Sequence, residues 1–144
     1  MITSNIYLNF NGNCEEAFNF YKSVIGGEFG YIGRFGEMPP AETARLAEED
    51  KNKIMHVSLP IGTSMLMGSD CNTEQGACFV SGNNFSIMVT AESKEETDRL
   101  FNGLLAGGEV VMPLMDTFWG DYFGMLTDKF GVNWMISFNT GQNS

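Results

Sequence analysis

The stretch Ala17-Phe18-Asn19-Phe20-Tyr21, running on to Gly26-Gly27-Glu28, returns as Thr97-Asp98-Arg99-Leu100-Phe101, running on to Gly107-Gly108-Glu109. Each copy reads as a helix of about three turns closed by a glycine pair and followed by a strand, because paired glycines adopt positive backbone dihedrals cheaply. The chain is therefore read as two similar αβ modules, approximately 1–72 and 82–140, within one domain spanning 1–144. This organisation places a concave site between modules.

Working outward from the first copy, Ile2 to Phe10 alternates. Ile2, Ser4, Ile6, Leu8 and Phe10 share one face, and Thr3, Asn5, Tyr7 and Asn9 the other, as in a half-buried strand. Asn11-Gly12-Asn13 ends it. Asn13 followed by Glu15 and Glu16 makes a helix start, with acids complementing the dipole. Ala17, Phe20, Tyr21 and Val24 supply the apolar stripe. A strand is predicted from Glu28 to Phe35. The polar connection that follows carries a short helix around Thr43 to Glu49, and its Glu48-Glu49-Asp50 run reads as a solvated face. Ile54 to Pro60 and Ser64 to Ser69 form a hairpin.

Cys71 to Gly82 is a turn-rich join, after which Asn84 to Ala91 restarts the pattern. Ser93 with Glu96 three residues on is a capping-box signature, and Leu100, Phe101, Leu104 and Leu105 carry the buried side of the second helix. Val110 to Leu114, Tyr122 to Leu126 and Val132 to Phe138 complete a second set of strands, with a turn at Asp128-Lys129-Phe130-Gly131. Each module is thus β-α-β-β-β, and the fold class is α+β. The tail Gly141 to Ser144 has little to pack.

At 144 residues the chain is large enough for a core without metal or disulfide staples. Eighteen acidic against eight basic residues give a formal charge of -10, a field that disfavours nucleic acid and anionic membrane surfaces. Cys14, Cys71 and Cys78 are an odd set without a CxxC pair, and no secretory leader pattern opens the chain. Both point to a reduced cytoplasmic setting. No apolar run is long enough to span a membrane.

Strand parity separates two surfaces. Ile6, Leu8, Phe10 and Leu66, with Phe85, Ile87, Val89, Trp134, Ile136 and Phe138, are expected against the helices. On the opposite faces, Asn5, Tyr7, Asn9, His56, Ser58, Ser86, Asn133 and Ser137 accompany Met65, Met67, Met88 and Met135. Thioethers adapt in shape while neutral polar groups orient an occupant, so this surface suits a small, partly apolar organic molecule. The alternative is a second buried layer or a subunit interface containing satisfied polar groups.

His56 is the sole histidine. Alone it makes neither a multi-histidine metal site nor a hydrolytic triad. Three roles stand for it: general base, ligand contact or structural group. Tyr7 on the facing strand either offers a phenolic hydrogen bond or packs into the wall with its hydroxyl bonded. In Asp116-Thr117-Phe118-Trp119-Gly120-Asp121-Tyr122-Phe123-Gly124, Trp119 either covers one end of a cavity or plugs the space between strands.

Tyr7-Leu8-Asn9-Phe10-Asn11-Gly12, Glu16-Ala17-Phe18-Asn19-Phe20-Tyr21, the first GGE triplet, Asp116-Thr117-Phe118-Trp119-Gly120, Phe123-Gly124 and Asp128 through Trp134 together resemble the PhnB-like family. This family, also labelled demethylubiquinone-methyltransferase-like, lies within the vicinal oxygen chelate superfamily of glyoxalases, bleomycin-resistance proteins and extradiol dioxygenases. The resemblance covers nearly the whole chain. It implies paired βαβββ modules, a U-shaped sheet around a cleft and a homodimer. In metal-using relatives it implies four ligands, which fall here near Ile6 or Tyr7, Met67, Asn84 and Met135. None of these supplies the expected histidine or carboxylate, so no metal and no cofactor is expected. The methyltransferase label finds no glycine-rich nucleotide loop after a strand.

Two functions follow as expectations. One is a metal-independent protein that binds a small organic molecule through Asn5, Tyr7, His56, Met65, Met67, Ser86, Met88, Trp119, Asn133 and Met135. The other is a metal-independent enzyme using His56 with Tyr7 or Asp121.

Overall fold

The computed structural model describes residues 1–71 and 79–140; Cys78, most of the join around it and the tail 141–144 lie outside the described residues. Two compact units, Met1–Val80 and Ser81–Ser144, each carry one β-α-β-β-β set.

In the first unit, β1 (Ile6–Phe10), α1 (Cys14–Ile25), β2 (Tyr31–Arg34), β3 (Ile54–Ile61) and β4 (Ser64–Asp70) build a four-stranded sheet of order β1-β4-β3-β2. A short helix α2 (Pro40–Thr43) and a 3-10 turn at Glu48–Asp50 lie between β2 and β3. The second unit repeats the order as β5-β8-β7-β6, from β5 (Ile87–Thr90), β6 (Glu109–Asp116), β7 (Asp121–Thr127) and β8 (Asn133–Asn139), with helix α3 (Lys94–Leu105) after β5. In each sheet the first and last strands pair in parallel and the rest antiparallel.

β1 begins later than its alternation predicts. Its parallel register runs from Ile6 opposite Leu66 to Phe10 opposite Asp70, so Ile2 lies beyond the start of β4 and is exposed. Likewise β5 starts at Ile87, leaving Phe85 exposed rather than in the core, and the strand predicted from Glu28 contracts to Tyr31–Arg34.

The helices bury matching sets at i, i+3, i+4 and i+7: Cys14, Ala17, Phe18 and Tyr21 in α1; Thr97, Leu100, Phe101 and Leu104 in α3. This turns α1 from the predicted stripe, since Phe18 is buried while Phe20 and Val24 are only half-buried. The cause is a slot in the sheet. A Cβ on Gly68 would come within 2.7 Å of the Phe18 ring, and one on Gly124 within 2.8 Å of the Phe101 ring. Each helix therefore seats a phenyl ring on a strand glycine.

Helix capping differs between the copies. Ser93 Oγ accepts from Glu96 N at 3.1 Å, as its motif predicts. Asn13 makes no side-chain cap. Instead Asp70, buried at the end of β4, accepts from Gly12 N and Cys14 N through Oδ1 and from Ile54 N through Oδ2, all at 2.9–3.0 Å. Asp50, read as solvated, is also buried, with Lys53 Nζ 2.9 Å from its carboxylate.

Candidate functional site

In the first unit, the face turned away from α1 is assembled by register. Tyr7 stands opposite Met67, Met67 opposite Ser58, and Ser58 opposite Tyr31, so β1, β4, β3 and β2 contribute one row. His56 lies in the next row, opposite Gly33. The Tyr7 hydroxyl reaches back to it, 3.1 Å from Nδ1, and the rings stack at 5.6 Å between centroids. Tyr31 approaches His56 from β2 with centroids 5.9 Å apart. His56 is thus held between two tyrosines that are 44% and 49% exposed. Asn5 serves differently, its Oδ1 accepting from Met65 N at 3.0 Å and extending the β1–β4 contact. Met65 and Met67 are half-buried.

Arg34, next along β2 after Gly33 and beyond a register shift between them, turns its side chain to Glu15 rather than to His56. The Arg34 guanidinium forms a two-pronged bond with Glu15 at 3.0 and 2.6 Å and also donates to Asn52 O. That pairing holds the Glu15 carboxyl below the ordinary range. Cys14 is no nucleophile: burial, reinforced by the charges of Asp70 and Glu15, pushes its thiol strongly up.

In the second unit, Met88 faces Met135, Met135 faces Met125, and Met125 faces Met112, a thioether row across all four strands. Asn133 begins β8, accepting from Thr127 Oγ1 at 2.7 Å and donating to Phe85 O at 3.4 Å. Ser86 directly precedes β5. Trp119 packs edge-on against Phe118 and Phe123, and its Nε1 donates to Asp121 Oδ2 at 3.0 Å. The Asp121 carboxylate is therefore engaged by the indole, whereas the bonded pair brought together in the first unit is Tyr7 with His56. The charges at the β7–β8 turn are structural: buried Asp128 accepts from Phe130 N, Val132 N and Trp134 Nε1.

Tyr31, Met112 and Met125 were not identified from parity. Tyr31 is joined to His56 only through the β2–β3 register and the missing Cβ at Gly33, and Met125 follows from alternation along β7 with Phe123. The bulges in β6 obscure Met112.

The equivalence of the two units bears on metal binding. Tyr7 beside Met67 is matched by Met88 beside Met135, so Met88 rather than Asn84 holds the first-strand position of the second unit. Neither the phenol and thioether of the first unit nor the two thioethers of the second fit the divalent ions of metal-using relatives, which favour imidazole and carboxylate. Among the described residues no three His, Cys, Asp or Glu side chains group as a metal site. No helix among them is long and apolar enough to cross a membrane.

Residues 2–137 match the family model described as 3-demethylubiquinone-9 3-methyltransferase. The chain is 37% identical over 139 residues to protein YjdN of Escherichia coli strain K12, covering 91% of each. It is similar to the crystal structure of PA1353 from Pseudomonas aeruginosa, with 40% identity, a TM-score of 0.82 and coverage of 96% of this chain and 98% of that one. The PhnB protein of Bacillus cereus, described as a putative 3-demethylubiquinone-9 3-methyltransferase, is 29% identical with a TM-score of 0.73, covering 95% and 99%.

Proposed function

The chain belongs to the PhnB-like family of the glyoxalase/bleomycin-resistance/dioxygenase superfamily, and from that premise we propose that it binds a small, partly apolar organic molecule on its sheet faces without a metal centre. The observation that carries this reading is the Tyr7–His56 pair beside Met67. Where metal-using relatives present ligands, this chain presents a phenol, an adaptable thioether and a neighbouring imidazole. Such groups orient and enclose an organic molecule. Met88 and Met135, with Trp119, Ser86 and Asn133, supply further apolar and hydrogen-bonding surface in the second unit.

Methyl transfer from a nucleotide cofactor draws no support from the β1–α1 turn. Its one glycine, Gly12, already gives its N–H to Asp70, so a carboxylate occupies the place where a phosphate would bind the helix N-terminus.

Catalysis by His56 is the second reading, and the same hydrogen bond favours it. When Nδ1–H donates to Tyr7, the Nε2 lone pair is free to take a proton. When the Tyr7 hydroxyl donates to Nδ1, Nε2–H becomes a donor to a bound acceptor. Tyr7, not Asp121, is the partner in this reading. Metal-stripped protein incubated with a metabolite pool should retain a compound unchanged; appearance of a transformed compound would favour the enzyme, and retention of nothing would defeat both.

Self-association into a homodimer belongs to the same proposal. Val110, Val111 and Met115 on the edge strand β6 are about half exposed, an apolar margin suited to a second copy. Light scattering at low micromolar concentration should give about twice the 15.9 kDa chain mass. A persistent monomer would contradict it.

A further inference from the structure

We propose that Tyr31, seated over Gly33, completes with Tyr7 and His56 a three-ring platform whose occupant is a neutral, planar aromatic ring carrying a hydrogen-bonding group. This rests on the small-molecule reading above and specifies its ligand. The platform is built by the sheet. Tyr31 belongs to the row of Met67 and Ser58, yet its ring leans over Gly33 into the row of His56. A Cβ at residue 33 would collide with the Tyr31 hydroxyl and lie 2.9 Å from two ring carbons. Glycine at this position is what allows the ring to lie there. With Tyr7 inclined at 27° to the imidazole and Tyr31 at 36°, the rings present stacking surface rather than one isolated side chain.

Charge selects the occupant. The rows of Tyr7, Met67, Ser58, Tyr31 and Gly33 carry no lysine, arginine, aspartate or glutamate, and Arg34 is committed to Glu15. A carboxylate or phosphate brought here would lose water without meeting a lysine or arginine, within a chain of net charge -10. A neutral ring meets no such cost, and Nε2 of His56, left over from the bond to Tyr7, can hydrogen-bond its polar group.

Because His56 is the sole histidine, its imidazole resonances report the platform without ambiguity. The probes are benzamide, benzoate and cyclohexanecarboxamide, titrated at pH 8 into metal-stripped full-length protein. Benzamide should shift the His56 signals saturably in the millimolar range expected of so small a ligand. Benzoate and the non-planar amide should each bind about tenfold more weakly or worse. Gly33→Ala should move the His56 ring-current shifts in the ligand-free protein, as Tyr31 is displaced, and weaken benzamide about tenfold. Tyr31→Leu, which leaves the backbone of Gly33 undisturbed, should weaken it similarly and serves if Gly33→Ala does not fold. Equal binding of the planar and non-planar amides, or unchanged benzamide affinity in Tyr31→Leu, would overturn the platform while leaving the small-molecule reading intact. If no probe moves His56 but a compound retained from the metabolite pool does, the platform again falls alone. If neither the probes nor any metabolite moves it, both fall.

Discussion

Gly108→Ala should abolish accumulation of folded protein or cost roughly 4 kcal/mol or more, whereas Gly27→Ala should cost about 1–2 kcal/mol. The two glycines occupy the same place in the repeated GGE triplet but serve different physics. Gly26 and Gly27 both have positive φ, 91° and 84°, and a Cβ at either would meet nothing within 4 Å. Their substitution is penalised by backbone conformation alone. In the second copy only Gly107 has positive φ, at 78°. A Cβ on Gly108 would run into the Thr127 carbonyl and lie 2.9 and 3.0 Å from Asp128 Cα and C, all backbone atoms. The Gly108 N–H is also bonded to Leu105 O at 2.7 Å, which limits retreat. Urea denaturation of both variants checks the contrast, and equal losses would contradict it.

The second large effect is expected at Asp70. Its carboxylate satisfies three backbone N–H groups from the β1–α1 turn and β3, and it is 3% exposed. Asp70→Ala strands those donors and should destabilise the fold by roughly 3–5 kcal/mol, given that buried hydrogen bonds to charged groups contribute about 1.5–3 kcal/mol each and are not additive. Asp70→Asn retains an acceptor for Gly12 and Cys14 but turns an amide N–H toward Ile54 N–H, so it should recover only part of the loss. Chemical denaturation measures both. A loss below about 1 kcal/mol for Asp70→Ala would show that water replaces the carboxylate.

These two positions also mark what the sequence disclosed. The modules were legible because helix period, glycine pairs and strand alternation are local signals that agree with one another. The Ser93 cap was legible for the same reason. Asp70 was not, because it caps a helix 56 residues away through a parallel strand pairing, whereas Asn13 offered a plausible cap next to that helix. The phenyl slots over Gly68 and Gly124 are likewise tertiary, and they turned α1 by drawing Phe18 inward. At the candidate site, parity placed Tyr7, His56 and Met67 on one face, since alternation within short strands survives folding. Tyr31 was missed because joining it to His56 required the β2–β3 register and an empty Cβ position at Gly33, neither of which is written in local pattern. The thioether row through Met125 and Met112 required cross-strand register in the same way.

Binding without catalysis by His56 is tested most directly by measuring affinity and turnover together on folded His56→Gln, with a compound that metal-stripped wild-type protein retains. Loss of one hydrogen bond should weaken binding by about 1 kcal/mol, roughly fivefold, with no turnover in either protein. Turnover by the wild type that falls roughly 10²-fold or more in the variant, at unchanged affinity, would contradict the binding account and establish His56 as a catalytic base.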